Sequence, residues 1–399
     1  MFKKLALTLL TAVLVFGCNS SEENKKLITA RDVIAEVSGE FVPDKRVARF
    51  EVEAMGNEGG LILNGESNLP EAVQSLRSRL EQKNIVFIDS IELLPGKMME
   101  NASNALVKIS VANLRSNPAH SAELATQATL GTPLKVLKEE NEWFLVQTPD
   151  KYLSWVDGGG LETLSDEEFQ NWKNISKVVF KQPFGFAYEE ANTTSPVVTD
   201  LVAGSILELQ EEQENFYKVK YPDGVTAYIQ KEAAQLYDEW IAQLDPSAEN
   251  LIKTSRALMG LPYLWGGTSA KGVDCSGYTK TIFFLNGMII PRDASQQVHT
   301  GTLVDSTRNF ENLIPGDLLF FGRPATDTTS EKVVHVGMWV GNNQFIHSSG
   351  RVRVSSIDST ARDFDEFNYN RYLRTKRLVS EDDPNIILLE NSELFGKKG

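Results

Sequence analysis

At 399 residues the chain is too long for one hydrophobic core and should divide into several domains. Its 41% hydrophobic and 24% charged residues, with 28 Gly and 15 Pro, are those of a globular protein and exclude collagenous, low-complexity and disordered chains. The net charge of −14, with no basic cluster, excludes nucleic acid as a partner, since phosphate contacts need concentrated Lys and Arg.

Residues 1–17 predict a secretory signal: Lys3 and Lys4, an apolar run from Leu5 to Phe16, then Gly17 before Cys18. Without the two lysines the net charge is −16. The run is too short for a hydrocarbon slab of about 30 Å, and no later segment is apolar for long enough to span one. Val15-Phe16-Gly17-Cys18 resembles the lipobox of bacterial lipoproteins, in which the Cys is acylated and becomes the mature N-terminus. A plain signal peptide cut elsewhere is the alternative. Ser20–Lys26 is polar and lacks apolar periodicity, so residues 18–28 would tether the lipid on Cys18 to the folded body. The protein is expected to be exported and held to a membrane of the bacterial cell envelope.

Residues 29–100 suggest a small α/β domain: strands at Val47–Ala54 and Leu61–Leu63, a helix over Pro70–Lys83 with Val73, Leu76 and Leu80 on one face, and a strand at Ile85–Leu93. The pattern faintly resembles the BON modules of envelope proteins. Next comes an internal repeat. Shifting the chain by 73 residues superposes Gly131–Val156 on Gly204–Ile229, with Leu134/Leu207, Val146/Val219, Pro149/Pro222 and Asp150/Asp223 identical. Short strands and turns such as Tyr221-Pro-Asp-Gly224 predict two small β-barrels, at 101–165 and 174–237. Val111-Ala-Asn-Leu-Arg-Ser116 and Trp143-Phe-Leu-Val146 resemble the bacterial SH3 domain; the second copy lacks the Asn-Leu-Arg pattern.

Glu239–Ser255 predicts a helical connector into a last domain at 245–380, followed by a tail at 381–399 that either packs or frays. The chain has two cysteines, so with Cys18 lipidated Cys275 stands alone in an exported protein, which points to function or to a buried small hydrophobe. Asp274 reads as an N-cap, Tyr278, Ile282 and Leu285 as one helix face, and Gly287 as a stop, so Cys275 begins a helix. Its dipole favours thiolate while the Asp274 carboxylate opposes it. Of the four histidines, His335 and His347 flank a hairpin. A three-residue loop at 341–343 pairs Val340 with Gln344 and sets His347 opposite Gly337, on the face that His335 shares; a two-residue loop puts the rings on opposite faces. In the first register His335 can take the thiol proton while His347 fixes its tautomer, a Cys-His-His triad. Zinc is disfavoured by the absence of a fourth ligand and of short ligand spacings, so no metal or other cofactor is expected. His299 is expected on a partly exposed helix and His120 in a loop.

Pro262-Tyr-Leu-Trp-Gly-Gly267, Asp274-Cys-Ser-Gly277, Pro291-Arg-Asp-Ala-Ser-Gln-Gln297, Pro315-Gly-Asp-Leu318, His335-Val-Gly337 and Phe345-Ile-His-Ser348 resemble, in order and spacing, the successive motifs of the NlpC/p60 cell-wall peptidases. The resemblance implies a papain-like catalytic domain, and with it a multidomain α+β protein: small N-terminal α/β domain, two SH3-like barrels, catalytic domain. It implies Cys275 as nucleophile, His335 as base, His347 as orienting residue and Tyr263 as oxyanion donor beside the Cys275 N–H. Asp274 and Ser276 would contact the substrate's N-terminal portion, with Arg292 and Ser295 nearby; Asp274 reads equally as a cap. Two SH3-like domains ahead of such a peptidase imply cleavage between D-glutamate and the diamino acid of peptidoglycan stem peptides, in muropeptides with a free N-terminal L-Ala. The ammonium would need a carboxylate: Asp274 first, with Glu123 and Tyr152 of the first barrel as companions. The expected protein is a monomer. A non-catalytic peptidoglycan-binding lipoprotein and an acyl transferase are the alternatives.

Overall fold

The computed structural model describes residues 14–57, 60–99, 101–379 and 383–395, in two compact units, 1–98 and 99–399. Residues 1–13, most of the expected signal, lie outside the described residues. In the first unit, helix α1 (Leu14–Phe41) is followed by strands β1 (Phe50–Asn57) and β2 (Gly60–Ser67), helix α2 (Pro70–Gln82) and strand β3 (Phe87–Leu93). β2 pairs antiparallel with β1 and parallel with β3. Ala30, Val33 and Val37 of α1 share a buried core with Ala72, Val73, Leu76 and Leu80 of α2 and with Val52, Ala54 and Leu63 of the sheet. The segment expected as a tether, 18–28, is instead helical, inside α1. The polar stretch Ser20–Lys26 hides the helix from a periodicity reading because its apolar stripe starts only after it. No helix among the described residues is long and apolar enough to cross a membrane.

The second unit opens with two seven-stranded barrels. The first holds β4 (Asn104–Val107), β5 (Val111–Arg115), β6 (Leu124–Thr129), β7 (Pro133–Glu140), β8 (Trp143–Gln147), β9 (Leu153–Asp157) and β10 (Leu161–Leu164), in the order β10-β4-β7-β8-β9-β5-β6. Helix α3 (Asp166–Asn174), started by a Ser165/Glu168 capping box, leads into the second. That barrel holds β11 (Lys177–Phe180), β12 (Phe184–Tyr188), β13 (Val197–Val202), β14 (Ile206–Glu212), β15 (Phe216–Lys220), β16 (Thr226–Gln230) and β17 (Ala234–Leu236). Its order, β17-β11-β14-β15-β16-β12-β13, is the same, and the 73-residue offset that the sequence carries over 131–156 extends back to the first strand, Asn104 matching Lys177. The expected connector is two helices, α4 (Tyr237–Gln243) and α5 (Ala248–Ala257), broken where Pro246 cannot donate a helical hydrogen bond.

In the last domain β18 (Thr268–Ser269) and β19 (Gly272–Val273) form a small hairpin just before α6 (Cys275–Leu285). After β20 (Met288–Ile289) and α7 (Ala294–Gln297) comes an antiparallel sheet of β21 (Thr302–Asp305), β22 (Leu318–Arg323), β23 (Lys332–Gly341), β24 (Gln344–Ser349), β25 (Arg351–Ser356) and β26 (Tyr372–Arg377), ordered β21-β26-β22-β23-β24-β25, with α8 (Glu366–Asn370) before its last strand. Tyr278, Ile282 and Phe283 of α6 are fully buried with Phe320, Val336, Met338 and Ile346 of the sheet. At about 1.5–3 kcal/mol for each such side chain, this contact fixes the helix, and therefore Cys275, over the middle strands. The chain end packs: β27 (Ile387–Leu388) pairs with β20, and Leu389 and Phe395 are buried.

Candidate active site

Asp274 caps α6 as expected, its Oδ1 accepting the Gly277 N–H at 2.7 Å, and Cys275 is the first helical residue. Gly277 is required there, since a Cβ would stand 2.0 Å from the Gly267 carbonyl oxygen. The same carboxylate is otherwise filled. Oδ1 also accepts from Ser276 Oγ (3.3 Å) and Arg292 Nη1 (3.1 Å), and Oδ2 from the Gly266 N–H (2.9 Å) and Arg292 Nη2 (2.6 Å). Arg292 Nη1 also reaches Ser276 Oγ at 3.0 Å, and Nε donates to Thr126 of the first barrel, again at 3.0 Å. Asp274, Ser276 and Arg292 thus come together as expected but spend their polar groups on one another, all three buried. Breaking such a buried pair leaves an uncompensated charge, so its first effect is to hold the cysteine helix to the barrel.

The two imidazoles also meet, although by a different turn from the one expected. Gly341 pairs with Gln344, leaving a two-residue loop, Asn342-Asn343, both at positive φ. A two-residue loop alone would send the rings to opposite faces. A β-bulge between Trp339 and Gly341 inserts the compensating residue, so Met338 pairs with Ile346 and His347 falls opposite Gly337 after all. A Cβ on Gly337 would lie 2.7 Å from the Phe345 ring and 3.2 Å from the His347 Cβ, so only glycine leaves this gap. Across it His335 Nε2 lies 2.7 Å from His347 Nδ1.

Burial dominates the electrostatics. It pushes the Cys275 thiol up to about 11, with the Asp274 carboxylate adding to the rise; the Val336 N–H, the Arg292 guanidinium and the Ser276 N–H at the helix start only offset it. The helix terminus therefore does not win, contrary to its expected pull toward thiolate. Burial likewise holds the His347 imidazole down at about 3, with Arg353 and Arg371 adding to the effect, and holds His335 well below 6.5, with His347 and Arg371 adding and Asp365 and Asp274 opposing. The resting pair is a neutral thiol and a neutral imidazole. Tyr263, half-exposed, is raised to about 12 by burial and then by Cys275 and Asp274, so its phenol keeps its proton.

The first barrel supplies one wall. Glu123 Oε1 accepts from Trp265 Nε1 at 2.6 Å, and Tyr152 donates to Asp293 Oδ2 at 3.1 Å, beside Arg292. Gln127 Oε1 accepts the Thr268 N–H at 3.1 Å and the Ser269 hydroxyl at 3.0 Å. Ser295 lies partly buried on α7. His299 is exposed just past that helix, and His120 is exposed with its ring centroid 5.0 Å from that of Trp143, edge to face. Cys18 lies in α1, and its side chain is outside what is described. Among the described residues no three His, Cys, Asp or Glu side chains converge on a metal position. Sequence reasoning missed Gln127, Trp265 and Asp293, whose contacts come from distant segments, and Gln297, which ties Ser276 and Pro291 carbonyls to α7. It also missed Ser355 and Asp365 beside His347; a serine two residues past the register partner of a histidine is the one signal it offered.

A model of the NlpC/P60 family matches residues 260–367, and a model of the bacterial SH3 domain matches 110–162 and 185–234. The gamma-D-glutamyl-L-lysine dipeptidyl-peptidase of Bacillus cereus (strain ATCC 10987 / NRS 248) is 33% identical over 57% of this chain and 67% of that protein. The protein of the same description from Bacillus subtilis (strain 168) is 31% identical over 56% of this chain and 72% of that one. Among solved structures, an NlpC/P60 family protein from Bacillus cereus ATCC 10987 superposes with a TM-score of 0.59 at 26% identity, over 69% of this chain and 99% of that one. With a cysteine at a helix start facing a sheet that carries paired histidines, and with relatives matched along two thirds or more of their length, this chain belongs to the NlpC/P60 family of peptidoglycan peptidases, with two bacterial SH3 domains ahead of its peptidase domain.

Proposed function

We propose that the protein is a cysteine peptidase that hydrolyses the γ-D-glutamyl–L-diamino acid bond of peptidoglycan stem peptides, acting on muropeptides with a free N-terminal L-Ala. The observation that carries the reading is the convergence of groups around one sulfur: the Val336 N–H, next along β23 from His335, lies against Cys275, while His335 is itself braced by His347 at 2.7 Å. The names of the two Bacillus relatives support the bond and the dipeptide-releasing mode.

With Nε2 committed to His347, His335 Nδ1 takes the thiol proton as the sulfur adds to the γ-carbonyl. A resting thiol near 11 favours proton loss coupled to attack over a standing thiolate. The Cys275 N–H, unpaired within its helix, and the Tyr263 hydroxyl meet the oxyanion. His335 then protonates the departing amine, and water, deprotonated by the same ring, cleaves the thioester. Glu123, exposed and holding Trp265 by one oxygen, suits the L-Ala ammonium better than Asp274, whose carboxylate is filled. Tyr152, Ser276 and Ser295 complete the wall near the dipeptide. The protein works in the cell envelope, tethered by a lipid on Cys18.

Three substrates test this: L-Ala-γ-D-Glu-L-Lys, the same peptide N-acetylated, and intact sacculi, with products weighed by mass spectrometry. The free peptide should yield L-Ala-D-Glu and lysine, and acetylation should slow cleavage at least about tenfold by leaving the acidic wall unpaired. Equal cleavage of the acetylated peptide or of sacculi would contradict the muropeptide reading.

A further inference from the structure

The far nitrogen of the orienting histidine has partners of its own. His347 is completely buried, and its Nε2 lies 3.0 Å from Ser355 Oγ and 3.7 Å from Asp365 Oδ2. Register explains the serine: His347 pairs with Arg353 across β24 and β25, and Ser355, two residues on, stands on the same face. Asp365 is held by its role as the α8 cap, its Oδ1 accepting the Asn368 N–H at 3.0 Å and its Oδ2 the Asn368 side-chain amide at 2.7 Å. The other charges near the ring pair are cationic or more remote: Arg353, 3.8 Å from Asp365 Oδ2, Arg371 past α8, and Asp274 at the start of α6.

Proton logic then runs in one direction. For His335 Nδ1 to accept a proton, the ring must carry its own proton on Nε2 and donate it to His347 Nδ1. His347 must then carry its proton on Nε2 and donate it to an acceptor. The opposite tautomer of His347 would force the His335 proton onto Nδ1 and present a donor to the thiol, which cannot act as a base.

We propose that Ser355 and Asp365 are positioning residues behind His347: Ser355 holds it as its Nε2–H tautomer and through it keeps His335 Nδ1 basic, while Asp365 acts on the ring pair by its charge. The inference rests on the reading of Cys275 and His335 as nucleophile and base. In the transfer the S–H bond of Cys275 breaks, its proton bonds to His335 Nδ1, and the sulfur electron pair forms the new bond to carbon. No proton crosses to His347. Ser355 accepts throughout, and the Asp365 carboxylate offsets the positive charge that the ring pair gains for the lifetime of the imidazolium.

The test combines nitrogen NMR of histidine-labelled full-length protein with kinetics on the tripeptide. Wild type should show His347 protonated at Nε2 and not at Nδ1. S355A should give mixed tautomers and a kcat about 10- to 100-fold lower with little change in KM, a partial loss of general-base catalysis. S355T, which keeps the hydroxyl, should restore both. D365N keeps a good helix cap and should lower kcat with the His347 tautomer unchanged. An Nδ1–H tautomer in the wild type, or S355A and D365N both at wild-type kcat, overturns the inference. H335A separates the two levels: if it is inactive while S355A and D365N are both normal, only the inference falls, and if it is fully active, the nucleophile-and-base reading falls with it.

Discussion

The two barrels share a strand order and a strict 73-residue offset, yet they meet the peptidase domain through different side chains. At matched positions Gln127 and Asp200 both grip the small hairpin before α6, the first through Thr268 and Ser269, the second through an ion pair with Lys271 at 2.9 Å. Elsewhere the pairs diverge. Tyr152, bonded to Asp293, is matched by exposed Val225; Glu123, bonded to Trp265, by Pro196; Asn113 and Arg115 by Phe186 and Tyr188. The two copies share the alternation that builds a barrel and differ in the polar groups turned toward the peptidase domain. A fold is thus retained by its core pattern, while its function resides in a handful of side chains.

The contrast can be broken or sharpened in order of expected effect. Removing the proposed base, His335→Ala, should cut kcat about 10³- to 10⁴-fold, and stopped assays of the tripeptide would read it. Next is the tie between the first barrel and the cysteine helix: Arg292→Leu strands the buried Asp274 carboxylate and should cost about 3–5 kcal/mol in denaturant unfolding. Breaking the second barrel's exposed Lys271–Asp200 pair with Asp200→Asn should cost at most about 1 kcal/mol. Acid should weaken the peptidase domain through its histidines. His335 and His347 stay neutral when folded but take protons near 6.5 when unfolded, so stability is whole above that value and falls as pH drops below it. The slope is about 1.4 kcal/mol per pH unit for each ring until its folded value is reached, and urea titrations from pH 7 to 4 would measure it. Smaller still, Tyr152→Phe should raise KM a few fold at constant kcat, whereas Val225→Ala at the matched position should change neither.

Much of this was legible in the residues. Asp274, the α6 face and Gly287 announced the cysteine helix, and six ordered motifs announced the peptidase fold. The meeting of His335 and His347 was legible too, but not its cause, because a bulge at Val340 leaves no mark in the alternation of β23. Helix α1 was hidden by its polar first half. The resemblance named Glu123 and Arg292 as candidates but not their partners: the Arg292–Asp274 ion pair, the Glu123–Trp265 bond and the part of Gln127 join segments separated by helix α6 or lying more than a hundred residues apart, and pairing at that range is set by packing rather than by local pattern. The thiol's environment was misjudged because burial, which outweighs the helix end, cannot be read from neighbours in sequence.

The most direct measurement of the central claim is the mass of the products formed from L-Ala-γ-D-Glu-L-Lys by the wild-type protein and by Cys275→Ser at equal concentration and equal thermal stability. Stoichiometric L-Ala-D-Glu and lysine from the wild type, with intact tripeptide from the variant, is the predicted result. Release of lysine by Cys275→Ser at the wild-type rate would contradict it.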